Sequence, residues 1–373
     1  MMSSELSQPA PPAPLRRILL VGPLPERLDV IGGTKVVFSG YVHSLAAAGY
    51  SVRTISTTRP LKQAGPLKRA WLNVSTLVRV LFRLVVESRR VDMVMFGVSS
   101  YAALSSGPPI WAVSRMMRKP LVVRIFGGDF CEVLATAPRW RRRLAEATIL
   151  QTEQVLVETQ RLVNGLPRPE VRYFPNVRDT RRGRRPPSRA CRRFIFLSQL
   201  RPEKGVREAI DAAAQLPEGC TLTFVGPIMP GMQATELQGR KNIEYLGTLP
   251  PEEVPGVLAQ HDAFVFPTYY PGEGIPGALV EALQCGLPVI ASRWGDVPEL
   301  IENDKSGLLV SPRSTNELRD AMRLLADDDV LFQRLAAGAL ARGDQFRTGV
   351  WQKRLEELLQ EAHGARVPAR KAA

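Results

Sequence analysis

The sequence predicts an α/β protein built as two successive doubly wound domains that face each other across a cleft. Three observations predict it. Short apolar runs alternate with helical patterns through the first half. A basic, Pro-containing segment then interrupts them at 178–193. The same alternation restarts at Phe194 and continues to the C-terminal helices. The length of 373 residues agrees, being long for one domain.

Residues 1–14, MMSSELSQPAPPAP, contain no apolar stretch of the kind that targets secretion and read as a disordered Pro/Ala tail. Arg17-Ile-Leu-Leu-Val-Gly reads as a buried strand, Ile31-Gly-Gly-Thr34 as a Gly-rich loop, and Thr34–Ala48 as a helix. Gly49–Ile55 closes a strand–loop–helix–strand unit, the signature of a parallel sheet. Further strands are expected at Val91–Phe96, Leu121–Ile125 and Gln154–Glu158, which assigns an N-terminal domain to 15–177. The segment 178–193, RDTRRGRRPPSRACRR, is the expected linker. In the second domain, 194–347, strands are expected at Phe194–Leu197, Leu222–Val225, Ile243–Leu246, Ala263–Phe266, Pro288–Ile290 and Gly307–Val310. Helices are expected at Gly205–Gln215, Ile275–Cys285, Thr315–Leu325 and Asp329–Ala341. A last helix starts at 348–350 and ends near Ala362, before a second tail at 363–373. Ligands of open α/β sheets sit outside the carboxyl ends of the strands, so the cleft between the domains is where a site is expected.

Composition narrows the function. With 45% hydrophobic and 23% charged residues the chain is a globular protein with sizeable cores. Cys131, Cys191, Cys220 and Cys285 are scattered, without the spacing of a zinc site or a disulfide scaffold, which fits a reducing, cytoplasmic setting. Charge is uneven: residues 1–190 hold 30 Lys+Arg against 12 Asp+Glu, and the remainder 20 against 24. A strongly basic half suggests nucleic acid, an anionic membrane or a phosphorylated substrate. Interleaved aromatics and zinc spacings are missing, which counts against nucleic acid. The most apolar stretch, Trp71–Val86, is short and carries Arg79 and Arg83, so it is not a membrane span. Leu61–Arg90 is amphipathic and basic, and Trp140-Arg-Arg-Arg143 adds a second cluster. Both suit an anionic inner leaflet as well as a solvated basic face.

Two segments carry chemistry. Ser198-Gln-Leu-Arg-Pro-Glu-Lys-Gly205 ends a strand and opens a helix, placing Lys204 and free amides where an anion binds. Arg201 lies in the same turn. Phe266–Ser292 is more informative. A loop carries Glu273 and Gly274. A helix then begins near Pro276, a residue suited to a first helical turn. Amides from Ile275 through Gly277 and Ala278 to Leu279 head that helix. Its apolar positions surround Glu281, so the helix should be buried and Glu281 should need a partner. Carboxylates at 273 and 281 suit sugar and ribose hydroxyls. Asp327-Asp-Asp329 lies between helices and reads as an N-cap cluster, and His43, His261 and His363 show no metal or triad spacing.

These segments resemble the retaining glycosyltransferases of family four, the glycosyl transferases group 1. The resemblance covers Leu15 to about Ala362. It rests on Glu273-x7-Glu281, Gly286–Ser292, the Pro-Glu-Lys-Gly turn, Gly32-Gly33, Asp296–Ile301 and Trp351 in the last helix. It implies the GT-B architecture, two Rossmann-like domains with the C-terminal helix crossing back onto the N-terminal one. It also implies an enzyme, a hexosyltransferase moving a sugar from a UDP- or GDP-sugar to a glycan or lipid-linked acceptor with retention, in cell-surface polysaccharide or glycoconjugate biosynthesis. The nucleotide sugar is a substrate; no cofactor and no metal are implied. Glu273 would contact the donor sugar and Glu281 the ribose. Lys204 would contact the diphosphate, with the Gly32, Gly33 and Ile275–Leu279 amides on phosphate and sugar. Two departures stand out. The family has Gly-Arg before the turn where this chain has Ser198-Gln199, and Arg201 is the candidate replacement. The family often has a histidine after the strand at 122–125 where this chain has Arg124-Ile-Phe-Gly-Gly-Asp129. Asp129 is the candidate there, and a plain turn is the alternative. These departures keep two other readings open, a non-catalytic nucleotide-sugar-binding subunit and an epimerase of the same architecture.

Overall fold

The structure, a computed structural model, describes residues 15–25, 33–58, 65–166, 168–180 and 190–365. The tail 1–14, Gly32, residues 181–189 of the expected linker and residues 366–373 lie outside them.

Two parallel six-stranded sheets form, as the alternation predicts. The first contains β1 (Arg17–Gly22), β2 (Ser51–Ser56), β3 (Met93–Ser99), β4 (Leu121–Phe126), β5 (Gln154–Val157) and β6 (Val171–Tyr173) in the order β2-β1-β3-β4-β5-β6. The second contains β7 (Arg193–Leu197), β8 (Thr221–Val225), β9 (Ile243–Tyr245), β10 (Ala263–Phe266), β11 (Val289–Ser292) and β12 (Gly307–Val310) in the order β12-β11-β10-β7-β8-β9. Helices cover both sheets. In the first half they are α1 (Gly33–Ala47), α2 (Pro66–Ser88), α3 (Ser100–Met116), α4 (Phe130–Thr136), α5 (Arg139–Ala147) and α6 (Gln160–Gly165). In the second they are α7 (Val206–Ala213), α8 (Val254–Leu258), α9 (Gly277–Gln284), α10 (Thr315–Asp327), α11 (Asp329–Asp344) and α12 (Thr348–Gly364).

β3 and, apart from Arg124, β4 are apolar without alternation because helices cover both faces of the sheet. Each sheet has one point where the strand order reverses, between β1 and β3 in the first and between β7 and β10 in the second. Such points open a crevice at the carboxyl ends of the strands. The loops after β7 and β10 are those that carry Lys204 and Glu273.

Helix α12 returns to the first domain. Leu355, Leu358, Leu359 and Ala362 pack in one cluster with Ile18 and Leu20 of β1. Trp351 meets Tyr173 and Phe174 edge-on, with ring centroids 5.5 and 5.4 Å apart. The helix runs to Gly364, so His363 and Gly364, expected in the tail, are helical.

The start of the expected linker is part of the folded body. Arg178 and Thr180 are buried. Arg178 bridges to Arg347 in a parallel pairing, and Thr180 Oγ1 donates to Gln284 Oε1 at 2.7 Å. At the other end Arg193 already belongs to β7 and pairs with Asp262 at 2.9 Å. Arginines of the expected linker thus find carboxylates that lie far away in sequence.

Candidate active site

A cleft of about 500 Å³ lies between the two switch points. The first domain lines it with Gly33, Ser100, Asp129, Glu158, Asn176 and Arg178. The second supplies Gln199, Arg201, Lys204, Tyr270 and the stretch Glu273–Ala278 with Glu281.

The loop after β7 is a single tight turn, Pro202–Lys204, closed by Gly205 at φ 76°, before α7 begins at Val206. A side chain at 205 would meet the Pro267 carbonyl, so this turn requires glycine. The turn sends Lys204 inward. Lys204 Nζ donates to Glu273 Oε2 at 2.5 Å, and Thr268 Oγ1 donates to the same oxygen at 2.7 Å. Glu273 is only 7% exposed, so this pairing offsets the cost of burying it. Lys204 Nζ also lies 5.0 Å from the centre of the Tyr270 ring, and the Arg201 guanidinium 4.8 Å from it. Arg201 thus faces the cleft beside Lys204, while Gln199 lines it without charge. The Asp129 carboxylate also lines the cleft and makes no hydrogen bond with a described residue.

Helix α9 begins at Gly277, with Pro276 extended before it. The amides of Gly277 and Ala278 have no acceptor among the described residues and head the helix at the cleft. Two other amides of the Ile275–Leu279 set are engaged. Ile275 N–H donates to Glu158 Oε2 at 3.1 Å, and Leu279 N–H to the Pro276 carbonyl at 3.1 Å. Leu279 is fully buried in the apolar cluster around β10 and β11 and does not line the cleft.

Glu281 is half-buried at the cleft, and its partner is in the protein. Arg178 Nε donates to Glu281 Oε1 at 2.9 Å. Burial pushes the Glu281 carboxyl up from its ordinary value and Arg178 pulls it down, with burial the larger effect. One oxygen, Oε2, is not taken by Arg178.

Sequence reasoning missed the residues that join the two domains here. Arg124 lies in the otherwise apolar β4 and is fully buried. Its Nη1 donates to the Phe174 carbonyl at 2.5 Å and its Nη2 to Asn176 Oδ1 at 3.0 Å. The same Nη2 stands 3.9 Å from Glu158 Oε1. Burial raises the Glu158 carboxyl from its ordinary value, against the pull of Arg124. Asn176 Nδ2 donates to the Ile275 carbonyl at 2.6 Å. Glu158 and Asn176 of the first domain therefore hold both backbone groups of Ile275 in the second. A charge inside an apolar strand was the available signal for Arg124; Asn176 offered none.

A second set of contacts lies beside the first. Glu299 accepts from the Gln160 and Arg161 amides at 2.8 and 2.9 Å, and Arg161 Nε donates to buried Asp296 at 2.5 Å. Asp296 and Glu299 come from the Asp-Val-Pro-Glu-Leu-Ile motif, whose acidic groups thus reach across to α6. Among the described residues no group of three or more His, Cys, Asp or Glu side chains is placed to hold a metal ion.

Residues 191–328 match the family described as Glycosyl transferases group 1. The chain is 28% identical over 162 residues to O-antigen chain mannosyltransferase B of Escherichia coli, covering 41% of each chain. It is 34% identical over 144 residues to the putative colanic acid biosynthesis glycosyltransferase WcaL of Escherichia coli (strain K12), covering 36% of this chain and 35% of that one. The chain spans about a third to two fifths of the length of the curated relatives it matches. Among solved structures, the sucrose-phosphate synthase of Thermosynechococcus elongatus superposes with a TM-score of 0.76 at 18% identity, covering 94% of this chain and all (100%) of that one. Anabaena Alr3699/HepE in complex with UDP gives 0.68 at 19%, covering 92% and 99%. The resemblance read from the Glu273–Glu281 segment is thereby borne out across 191–328, and the whole chain has the GT-B fold.

Proposed function

We propose that the protein transfers a sugar from a nucleotide-sugar donor, a UDP- or GDP-sugar, to a glycan or lipid-linked acceptor with retention of anomeric configuration. The observation that carries this reading is the Lys204–Glu273–Thr268 cluster beside the N-terminal end of α9, with Glu281 further along the same helix. The cleft volume suits a ligand of nucleotide-sugar size.

Lys204 leaves Glu273 for the donor diphosphate, and Arg201 adds the second cation that Gln199 does not provide. The free amides of Gly277 and Ala278 complete the anion site. Glu273, released from Lys204, accepts from the sugar hydroxyls, and Glu281 accepts from the ribose through the oxygen that Arg178 leaves open. In the transfer step the bond from the anomeric carbon to the diphosphate breaks, with its electron pair moving to phosphate oxygen. The acceptor oxygen bonds to that carbon on the same face, and its proton passes to the departing phosphate. Asp129 orients the acceptor hydroxyl. Fixed positive groups at the leaving phosphate lower the barrier without reorganising during the step. The names of the relatives, an O-antigen mannosyltransferase and a colanic acid glycosyltransferase, support a place in cell-surface polysaccharide or glycoconjugate synthesis. The basic first domain supports an acceptor presented at the cytoplasmic face of a membrane.

The test is a panel of UDP-, GDP- and ADP-sugars read by thermal shift and by slow donor hydrolysis. One nucleotide class should stabilise the protein, and Lys204→Ala or Glu273→Ala should remove most of that stabilisation. The reading fails if no nucleotide sugar shifts the melting curve. Binding with no hydrolysis and no transfer to any acceptor would favour a non-catalytic donor-binding subunit.

A further inference from the structure

Helix α2 is apolar on two separate faces. Its inner face, with Val80 and Leu84 buried and Leu81 half-buried, belongs to the core of the first domain. Its outer face carries Leu67, Trp71, Val74, Val78, Phe82 and Val86, spaced so that they form one stripe along the helix. Trp71 is 68% and Phe82 69% exposed. Single exposed apolar residues are ordinary, but a contiguous stripe running the length of a 23-residue helix is not.

The charges beside the stripe identify what covers it. Lys68, Arg79 and Arg83 are exposed along one side of it, and exposed Arg89 and Arg90 follow its C-terminal end. The only acid on the helix, Glu87, is paired with Arg53 at 2.7 Å. A second copy of this chain on the same face would set these cations against their own images. Nucleic acid would call for cations at the centre of the contact and apolar groups at its edge, the reverse of what is found. An anionic leaflet fits both features, because the stripe enters the acyl boundary while the arginines reach headgroup phosphates.

We infer that the outer face of α2 is a docking surface for an anionic lipid bilayer, with the helix lying in the plane of the interface. No described helix is long and apolar enough to cross the bilayer, so this contact is peripheral. Because α2 follows β2, its Leu67–Trp71 end stands at the carboxyl edge of the sheet, the edge that borders the cleft. The inference is independent of sugar transfer, since vesicle binding needs no donor.

The test is co-sedimentation of the full chain with phosphatidylcholine vesicles made with and without phosphatidylglycerol. Binding should require phosphatidylglycerol and weaken with salt. Arg79→Ala/Arg83→Ala should lower the partition coefficient about 30-fold, from ~1 kcal/mol per cation near an anionic surface. Trp71→Glu/Phe82→Glu should abolish binding while leaving the melting temperature unchanged, because both side chains face outward. Should the double variant not fold, Trp71→Phe serves instead. Brominated lipid should quench tryptophan emission of the wild type more than that of this variant. Equal binding to neutral vesicles, equal binding by the variants, or equal quenching overturns the inference. So does a dimer that Trp71→Glu/Phe82→Glu converts to monomer, or binding to RNA in preference to vesicles.

Discussion

Replacing Asn176 by alanine tests how the first domain holds the loop before α9. The amide of Asn176 does two jobs: it donates to the Ile275 carbonyl at 2.6 Å and accepts from Arg124 at 3.0 Å. Only the first of these bonds crosses between the domains. Its loss leaves a buried carbonyl without a partner, a cost of about 1–3 kcal/mol. At 1.4 kcal/mol per factor of ten, the closed arrangement should lose about 5- to 150-fold in population relative to an open one. The second bond is internal to the first domain, and its loss should appear as lower thermal stability rather than as opening. Three measurements separate the two effects. The Ile275 amide should exchange hydrogen faster in the variant. The radius of gyration from solution scattering should rise. The turnover number should fall by about the same factor as the closed population, while nucleotide affinity, which the proposed function assigns to the second domain, stays within about twofold. Unchanged exchange at Ile275 together with unchanged turnover in a folded variant would refute the reasoning.

Four further outcomes follow from the same geometry. Gly128→Ala places a methyl group against the Glu273 carbonyl and the Asp296 carboxylate, so it should force the domains apart and depress turnover while each domain unfolds as before, read by calorimetry. Arg178→Ala leaves half-buried Glu281 without its cation and should lower stability by about 1–3 kcal/mol in urea unfolding. The Glu281→Gln change in that background should recover part of the loss. Burial raises Glu158 above the ordinary glutamate value. Its protonation as pH falls through that window weakens the acceptor for Ile275 N–H, so turnover should decline on the acid side at a pH above the ordinary carboxylate range. The folded state holds this proton more tightly than the unfolded chain, so stability should not fall through this group in the same window, and a parallel loss of melting temperature would contradict the assignment. Arg201→Gln should weaken nucleotide diphosphate binding about tenfold or more in calorimetry but leave binding of the bare nucleoside unchanged.

The parts of this protein that rest on local pattern were legible in the sequence. Strand and helix alternation, the break near 178–193 and the restart at Phe194 predict two doubly wound domains, because apolar periodicity reports directly on which faces are covered. The turn at Lys204 and the loop at Glu273 were legible for the same reason. Each is a short run of Pro, Gly and charge between a strand and a helix, and each falls at a strand-order reversal that the tertiary structure places on one cleft. What the sequence could not decide is who pairs with whom. It demanded a partner for Glu281, and only the fold supplied Arg178 from a segment that reads as linker. It offered the amides of Ile275–Leu279 as a set, and only the fold divided them, engaging Ile275 with Glu158 and leaving Gly277 and Ala278 without an acceptor among the described residues. Local propensity is written within a few residues of chain. Charge pairing and domain closure depend on distances between groups a hundred or more positions apart, and only the folded chain sets those distances.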